Sequence, residues 1–355
     1  VLRLRADRAP RAARRRHAQR DQETRAAAQR GEALSVLVTG AAGFIGSHVA
    51  ERLAADGREV VGFDNLDPFY DPALKRGNVA ALAALPRFRF VEGDIRDAAR
   101  VASAFRDHAV TEVVHLAAKA GVRPSIEAAA AYADVNVNGT VVMLEAARKA
   151  GCRTFVLASS SSVYGARNDP PFRESDPPAP AMSPYAATKQ ACELIGRTYH
   201  ELHGLDVTAL RFFTAYGPRQ RPDLAVHKFT DLMLKGEAVP FYGDGTTRRD
   251  YTYVGDIADG VARALARCPG SGWRVYNLGN SATVSLAELV AALEELWQVK
   301  AKLRRMPEQP GDVPLTCADL TLAQRDLGFA PKTAFREGLG KFAEWHRAQR
   351  QTPRA

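Results

Sequence analysis

A chain of 355 residues, 46% of them apolar, is long enough to bury one large core or two modest ones. No apolar run approaches the roughly 18 residues of a membrane span, and no stretch reads as a signal peptide, so membrane insertion and secretion are not expected and the cytoplasm is the expected compartment. The net charge of +9 is lopsided: residues 1–34 hold ten arginines against Asp7, Asp21, Glu23 and Glu32, a net of +6, and the nearly neutral remainder excludes a broad nucleic-acid platform.

The segment 1–34 is Ala/Arg-rich with almost no hydrophobic anchors, which predicts a disordered basic tail. An acidic partner or a transit-peptide role are its alternatives. From Ser35 onward, β-rich runs at 35–39, 59–63, 88–91, 112–115, 154–158 and 207–211 alternate with helical stretches such as 45–55 and 137–149. Continuous apolar strands between helices predict an α/β, doubly wound parallel sheet of Rossmann type, here over 35–213 with segments returning from the C-terminal half. After Thr214 the spacing becomes irregular, and helices near 224–235, 256–267, 286–297 and 335–347 predict a smaller α/β lobe over 214–348, followed by a short tail at 349–355. Cys152, Cys192, Cys268 and Cys317 show no C-x-x-C spacing and are expected to be buried free thiols. No metal site is expected from them.

The first strand runs into Gly40-Ala41-Ala42-Gly43-Phe44-Ile45-Gly46, with the glycines spaced G-x-x-G-x-x-G at the opening of a helix. Bare backbone there permits a tight turn and lets a pyrophosphate reach the helix N-terminus. The second strand ends in Asp64, whose carboxylate can accept both ribose hydroxyls and would repel a 2′-phosphate, so NAD is expected over NADP. Asp94, after the third strand, either meets the adenine amino group or caps the helix beginning near Ala98.

Tyr185 and Lys189 follow Pro184 at a helix start and lie one turn apart on one face. A lysine ammonium beside a tyrosine, whose ordinary pKa is near 10, favours the phenolate and suits it to act as a base. Such a pair also occurs on ordinary helices. The block Ser159-Ser160-Ser161-Ser162, just after the fifth strand, stands where open α/β sheets place their ligands, or serves local backbone hydrogen bonds.

These residues, with His115-Leu116-Ala117-Ala118, Leu210-Arg211-Phe212-Phe213-Thr214, Arg249-Asp250-Tyr251 and Pro310-Gly311-Asp312, fall in family order. From about residue 35 to 345 the chain resembles the extended short-chain dehydrogenase/reductase nucleotide-sugar epimerases and, within them, the UDP-glucuronate 4-epimerases. The resemblance implies catalysis by Ser160, Tyr185 and Lys189. It implies an NAD site that also includes Phe44, Ile45, Asn65, Ile95, Leu116, Ala117, Ala118, Lys119, Asn136 and Phe212. The similar dehydratases carry an Asp-Glu pair where this chain has Ser161-Ser162, and the decarboxylases a Glu at the position of Ser162, so C4 epimerisation of a UDP-sugar is the implied reaction. Ser161, Ser162, Thr214 and Arg221 match positions around a C5 carboxylate, which implies UDP-glucuronate; Arg221 could instead pair with Asp223. Lys228, Tyr242, Arg249, Gln309 and Asp312 match UDP-side positions, with Gln309 where UDP-galactose epimerases have arginine. A homodimer through the helices near 132–149 and 184–203 is also implied. The alternatives are a UDP-glucose or UDP-N-acetylglucosamine 4-epimerase, and a silent NAD-binding regulator whose tail touches RNA.

Overall fold

A computed structural model of the chain describes residues 35–351 apart from 168, 178 and 309–312. The basic tail, the last four residues and the candidates Gln309 and Asp312 lie outside the described residues. All six expected strands form: β1 (Ser35–Thr39), β2 (Glu59–Asp64), β3 (Phe88–Glu92), β4 (Val110–His115), β5 (Thr154–Ser160) and β6 (Asp206–Phe212). Further strands are β7 (Thr214–Tyr216), β8 (Ala238–Tyr242), β9 (Arg248–Tyr253), β10 (Trp273–Leu278), β11 (Thr283–Ser285) and β12 (Lys302–Met306). The principal sheet has seven parallel strands in the order β10-β6-β5-β4-β1-β2-β3. Strand β10 returns from the C-terminal half to complete that sheet.

Alternation along β1 explains the two covering layers. Val36 and Val38 pack with helices α1 (Phe44–Ala55) and the later segment Val254–Arg267 through Val49, Leu53, Ile257 and Val261. Leu37 points the other way, into a core with Val101, Met143, Leu144 and Cys192. Helices α2 (Pro72–Ala83), α3 (Ala98–Asp107), α4 (Val122–Glu127), α5 (Ala129–Tyr132), α6 (Gly139–Ala150) and α7 (Pro184–His203) follow in the first half. One π-helical turn, Ala133–Asn138, leads into α6. Asp97, not Asp94, caps α3, accepting from the N–H groups of Ala99 and Arg100; the capping alternative for Asp94 is therefore corrected.

The smaller lobe gathers α8 (Ala225–Leu234), α10 (Leu286–Trp297) and α12 (Phe335–Gln351) around Val226, Phe229, Leu289, Leu293 and Phe342, beside the sheets β11-β9-β7 and β12-β8. Helices α9 (Val254–Arg267) and α11 (Thr321–Leu327) pack instead on the principal sheet. All four cysteines are free, and three are buried; Cys317 is only half-buried, against expectation. No described helix is long and apolar enough to cross a membrane.

Candidate active site

The strand order reverses at β1, which has β4 on one side and β2 on the other. A cleft of about 480 Å³ opens at the carboxyl ends of the strands, where this topology leaves its crevice. At one end, the turn after β1 is steric necessity: Gly40 has φ +72°, and a Cβ on Gly46 would lie 1.9 Å from the Gly40 carbonyl oxygen. Gly43 is the N-cap of α1 and supplies no side-chain cap, so the first-turn amides face the cleft. Asp64 is buried, its Oδ2 accepting from Ala42 N (3.1 Å) and its Oδ1 from Leu66 N (2.8 Å). Each oxygen keeps acceptor capacity for a ribose hydroxyl. Asn65 donates to Asp94 (2.9 Å), tying the ends of β2 and β3, and the Arg96 bonds hold the Asp94 carboxyl down at about 2.

His115 sets the loop after β4. Thr39 Oγ1 accepts from the N–H groups of Leu116 and Ala117, so its own proton goes to His115 Nδ1 (2.8 Å). The His115 Nε2–H then donates to Thr140 Oγ1 (3.1 Å), whose hydroxyl donates to the Asn136 carbonyl. Burial, with the Lys189 charge, pushes His115 down to about 3, so the ring is neutral.

At the chemical end, Ser160 closes β5 and its Oγ accepts from Ser162 N (3.2 Å). Ser183 caps α7 and Pro184 fills its first turn, which presents Tyr185 and Lys189 to the cleft. The buried Lys189 Nζ donates to the Ala158 carbonyl (2.8 Å) and stands 5.9 Å from the Tyr185 ring centre. Tyr132 meets that ring edge-on at 6.2 Å. Ser162 Oγ is buried without a hydrogen-bond partner among the described residues, an unmet polar group in the cleft wall. Thr214, Arg221 and Arg249 line the same cleft. Arg221 forms the bidentate pair with Asp223 (2.9 and 2.6 Å), reaches the Ala120 carbonyl (3.3 Å), and covers the Phe69 ring. The ion-pair reading of Arg221 therefore holds, and it does not withdraw the residue from the cleft.

The structure brings together the three glycines, Phe44, Ile45, Asp64, Asn65, Asp94, Ile95, Leu116 through Lys119, Ser160 through Ser162, Tyr185, Lys189, Phe212, Thr214, Arg221 and Arg249. Three candidates stand apart. Asn136 is buried behind the wall, where its side chain accepts from Lys119 N (2.8 Å) and donates to the Lys119 carbonyl and Thr188; it holds the loop rather than lining the cleft. Lys228 is exposed on α8, and Tyr242 stacks under Arg123; neither lines the cleft. Sequence reasoning missed Lys75, buried 3.6 Å from Asp64, and Met182, Leu224, Val313 and Thr316 in the wall. No local pattern announced any of them: Lys75 meets Asp64 only through folding, and the others come from separate loops.

The model of the GDP-mannose 4,6 dehydratase family matches residues 37–342. The chain is 45% identical to UDP-glucuronate 4-epimerase 3 of Arabidopsis thaliana over 329 residues, 88% of this chain and 76% of that one. The chain belongs to the UDP-glucuronate 4-epimerase family. Among solved structures, it is similar to the UDP-glucuronic acid 4-epimerase of Bacillus cereus in complex with UDP-glucuronic acid and NAD, at 33% identity and a TM-score of 0.83, with 89% of this chain and 100% of that one covered. It is also similar to the UDP-glucose 4-epimerase of Thermotoga maritima with UDP-glucose, at 33% identity and a TM-score of 0.81, covering 90% and 100%. As a member of the UDP-glucuronate 4-epimerase family, it presents serine hydroxyls, not carboxylates, beside Ser160.

Proposed function

We propose that the protein interconverts UDP-glucuronate and UDP-galacturonate by NAD-dependent inversion at C4. The observation that carries the sugar assignment is the unmet Ser162 hydroxyl in the wall that also presents Thr214 and Arg221. Hydroxyl donors and a planar guanidinium match a carboxylate. The first-turn amides of α1 and the open acceptor positions of Asp64 would hold NAD, which would supply the hydride acceptor and donor that inversion at C4 requires.

The chain's own residues do the rest. Tyr185 removes the C4 hydroxyl proton, with Ser160 bridging the sugar oxygen and the phenol. Lys189, fixed by the Ala158 carbonyl, holds its ammonium 5.9 Å from the Tyr185 ring centre, on the side of the cleft where the proton is transferred. No acid stands at 161 or 162 to drive elimination, so the 4-keto sugar turns and receives its proton back from Tyr185. The oxidised sugar is a β-keto acid, and loss of CO₂ needs the breaking bond perpendicular to the ketone plane. Ser161, Ser162, Thr214 and Arg221 hold the carboxylate out of that alignment. Arg249 is the diphosphate partner.

Incubation with UDP-glucuronate without added reductant, followed by NMR, tests the reading: UDP-galacturonate forms, and its absence refutes the assignment. Arg221→Ala reduces kcat/KM for the acid about 10-fold or more, since a charged hydrogen bond is worth about 1.5–3 kcal/mol, and leaves UDP-glucose turnover nearly unchanged. Equal loss on both removes the carboxylate argument. We place the protein in the cytoplasm as a homodimer joined through α6 and α7. Leu194 and Leu202, 68% and 71% exposed on α7, are apolar side chains suited to such an interface. Leu194→Glu with Leu202→Glu then yields monomers by light scattering.

A further inference from the structure

The smaller lobe holds a second constellation, none of whose side chains lines the cleft. His227 and Asp231 lie one turn apart on α8, and His346 reaches them from α12. Both imidazoles are buried, at 6% and 4% exposure, and each of the three residues offers a ligand atom within 4.8 Å of the others. His346 Nε2 is 2.8 Å from Asp231 Oδ1, and His227 Nε2 is 3.7 Å from Oδ2. Zinc bonds of about 2.0–2.1 Å in a tetrahedron separate ligand atoms by about 3.4 Å, so these spacings need only small adjustments.

The hydrogen-bond roles indicate what the site faces. His227 Nδ1 is 2.6 Å from the Gln220 carbonyl, which can only accept, so a proton sits on Nδ1 and Nε2 is the ring nitrogen turned toward the Asp231 carboxylate. A backbone carbonyl on the far ring nitrogen is also how metal-bound histidines are oriented. His346 Nδ1 is buried with no partner among the described residues, so moving its proton there from Nε2 breaks no bond but the one to Asp231. Asp231 is 38% exposed at its side chain, which leaves a water path to a fourth position.

We propose that His227, Asp231 and His346 bind one zinc ion, which clamps α12 to α8. The unpatterned cysteines bear only on thiolate sites; this one is built from imidazoles that meet only in the folded lobe. Through Gln220, the neighbour of Arg221, the clamp also steadies the turn from which that arginine enters the cleft.

The test uses the full-length, tag-free protein, stripped with chelator and loaded with zinc sulfate. One zinc per chain is expected by mass spectrometry after dialysis. Cobalt(II) in its place gives the visible bands of a four-coordinate centre. Zinc raises Tm by about 3 °C or more, as a ligand bound only by the native state must. His227→Gln and Asp231→Asn each weaken zinc binding on the order of 100-fold, by removing one of three ligands. His346→Phe keeps the aromatic packing with Trp297, Phe342 and Trp345 while deleting the ligand, so it stays folded by circular dichroism and binds no zinc. Failure of the wild type to hold zinc at 100-micromolar order, or undiminished stoichiometry in the His227→Gln/His346→Phe variant, overturns the proposal.

Discussion

Lys189 and Tyr185 are placed by different means. The lysine is buried and oriented by a single backbone acceptor at the end of β5, whereas the tyrosine is set by the Ser183 cap and the edge of Tyr132. Removing the phenol hydroxyl deletes the proton acceptor without disturbing that packing. Tyr185→Phe therefore lowers kcat by about 10²–10⁴, the usual contribution of general acid–base catalysis, while copurifying NAD remains bound; both are read from initial rates and the absorbance of released cofactor. These two residues were visible in the sequence because a helix turn places i and i+4 together. Lys75 was not visible. It meets Asp64 only because α2 packs back beside α1 and the third strand, a consequence of tertiary folding that no local spacing announces.

Two elements depend on close approach of a different kind. At the start of α1, the Gly46 position leaves no room for a methyl group against the Gly40 carbonyl. Gly46→Ala forces the helix away from β1, and the expected result is loss of bound NAD together with a lower Tm; a variant that retains both contradicts the cradle. Behind the serine block, α7 and β6 are joined by Glu193 and Arg211, buried and bidentate at 2.9 and 2.8 Å, with Ser159 donating to the same carboxylate and Arg211 lying over Tyr164. Arg211→Met strands the carboxylate and costs about 3–5 kcal/mol in urea denaturation, with part recovered in the Glu193→Gln/Arg211→Met double variant. The β-α-β half was readable because each strand and helix carries its own period. A returning segment was expected, but its identity as β10 was not readable, since Trp-Arg-Val-Tyr-Asn-Leu acquires its place only by pairing with β6 across a long intervening stretch. Lys228 stands outside the cleft for a related reason: its helix turns it to solvent, which sequence order alone does not disclose.

The molecule as a whole carries a pH dependence written into its first domain. His115 is buried and neutral in the native state, pushed down to about 3, while an unfolded histidine titrates at 6.5. Between those values the unfolded chain binds a proton that the folded chain refuses, so stability is complete above pH 6.5 and falls as the pH drops toward 3. Each pH unit in that window costs about 1.4 kcal/mol per such group, so His115 alone accounts for about 2 kcal/mol between pH 7 and pH 5. His48, held at about 4 chiefly by burial, acts in the same direction with a similar share, since pH 5 still lies above its native value. Urea denaturation at the two pH values should therefore show a loss of about 2–4 kcal/mol at the lower one. His115→Asn decides the attribution, because an amide can accept from Thr39 and donate to Thr140 without titrating. Its pH slope should fall by about one proton relative to the wild type. An unchanged slope would assign the acid sensitivity to other groups and break the link between the neutral His115 ring and the stability of the cleft loop it supports.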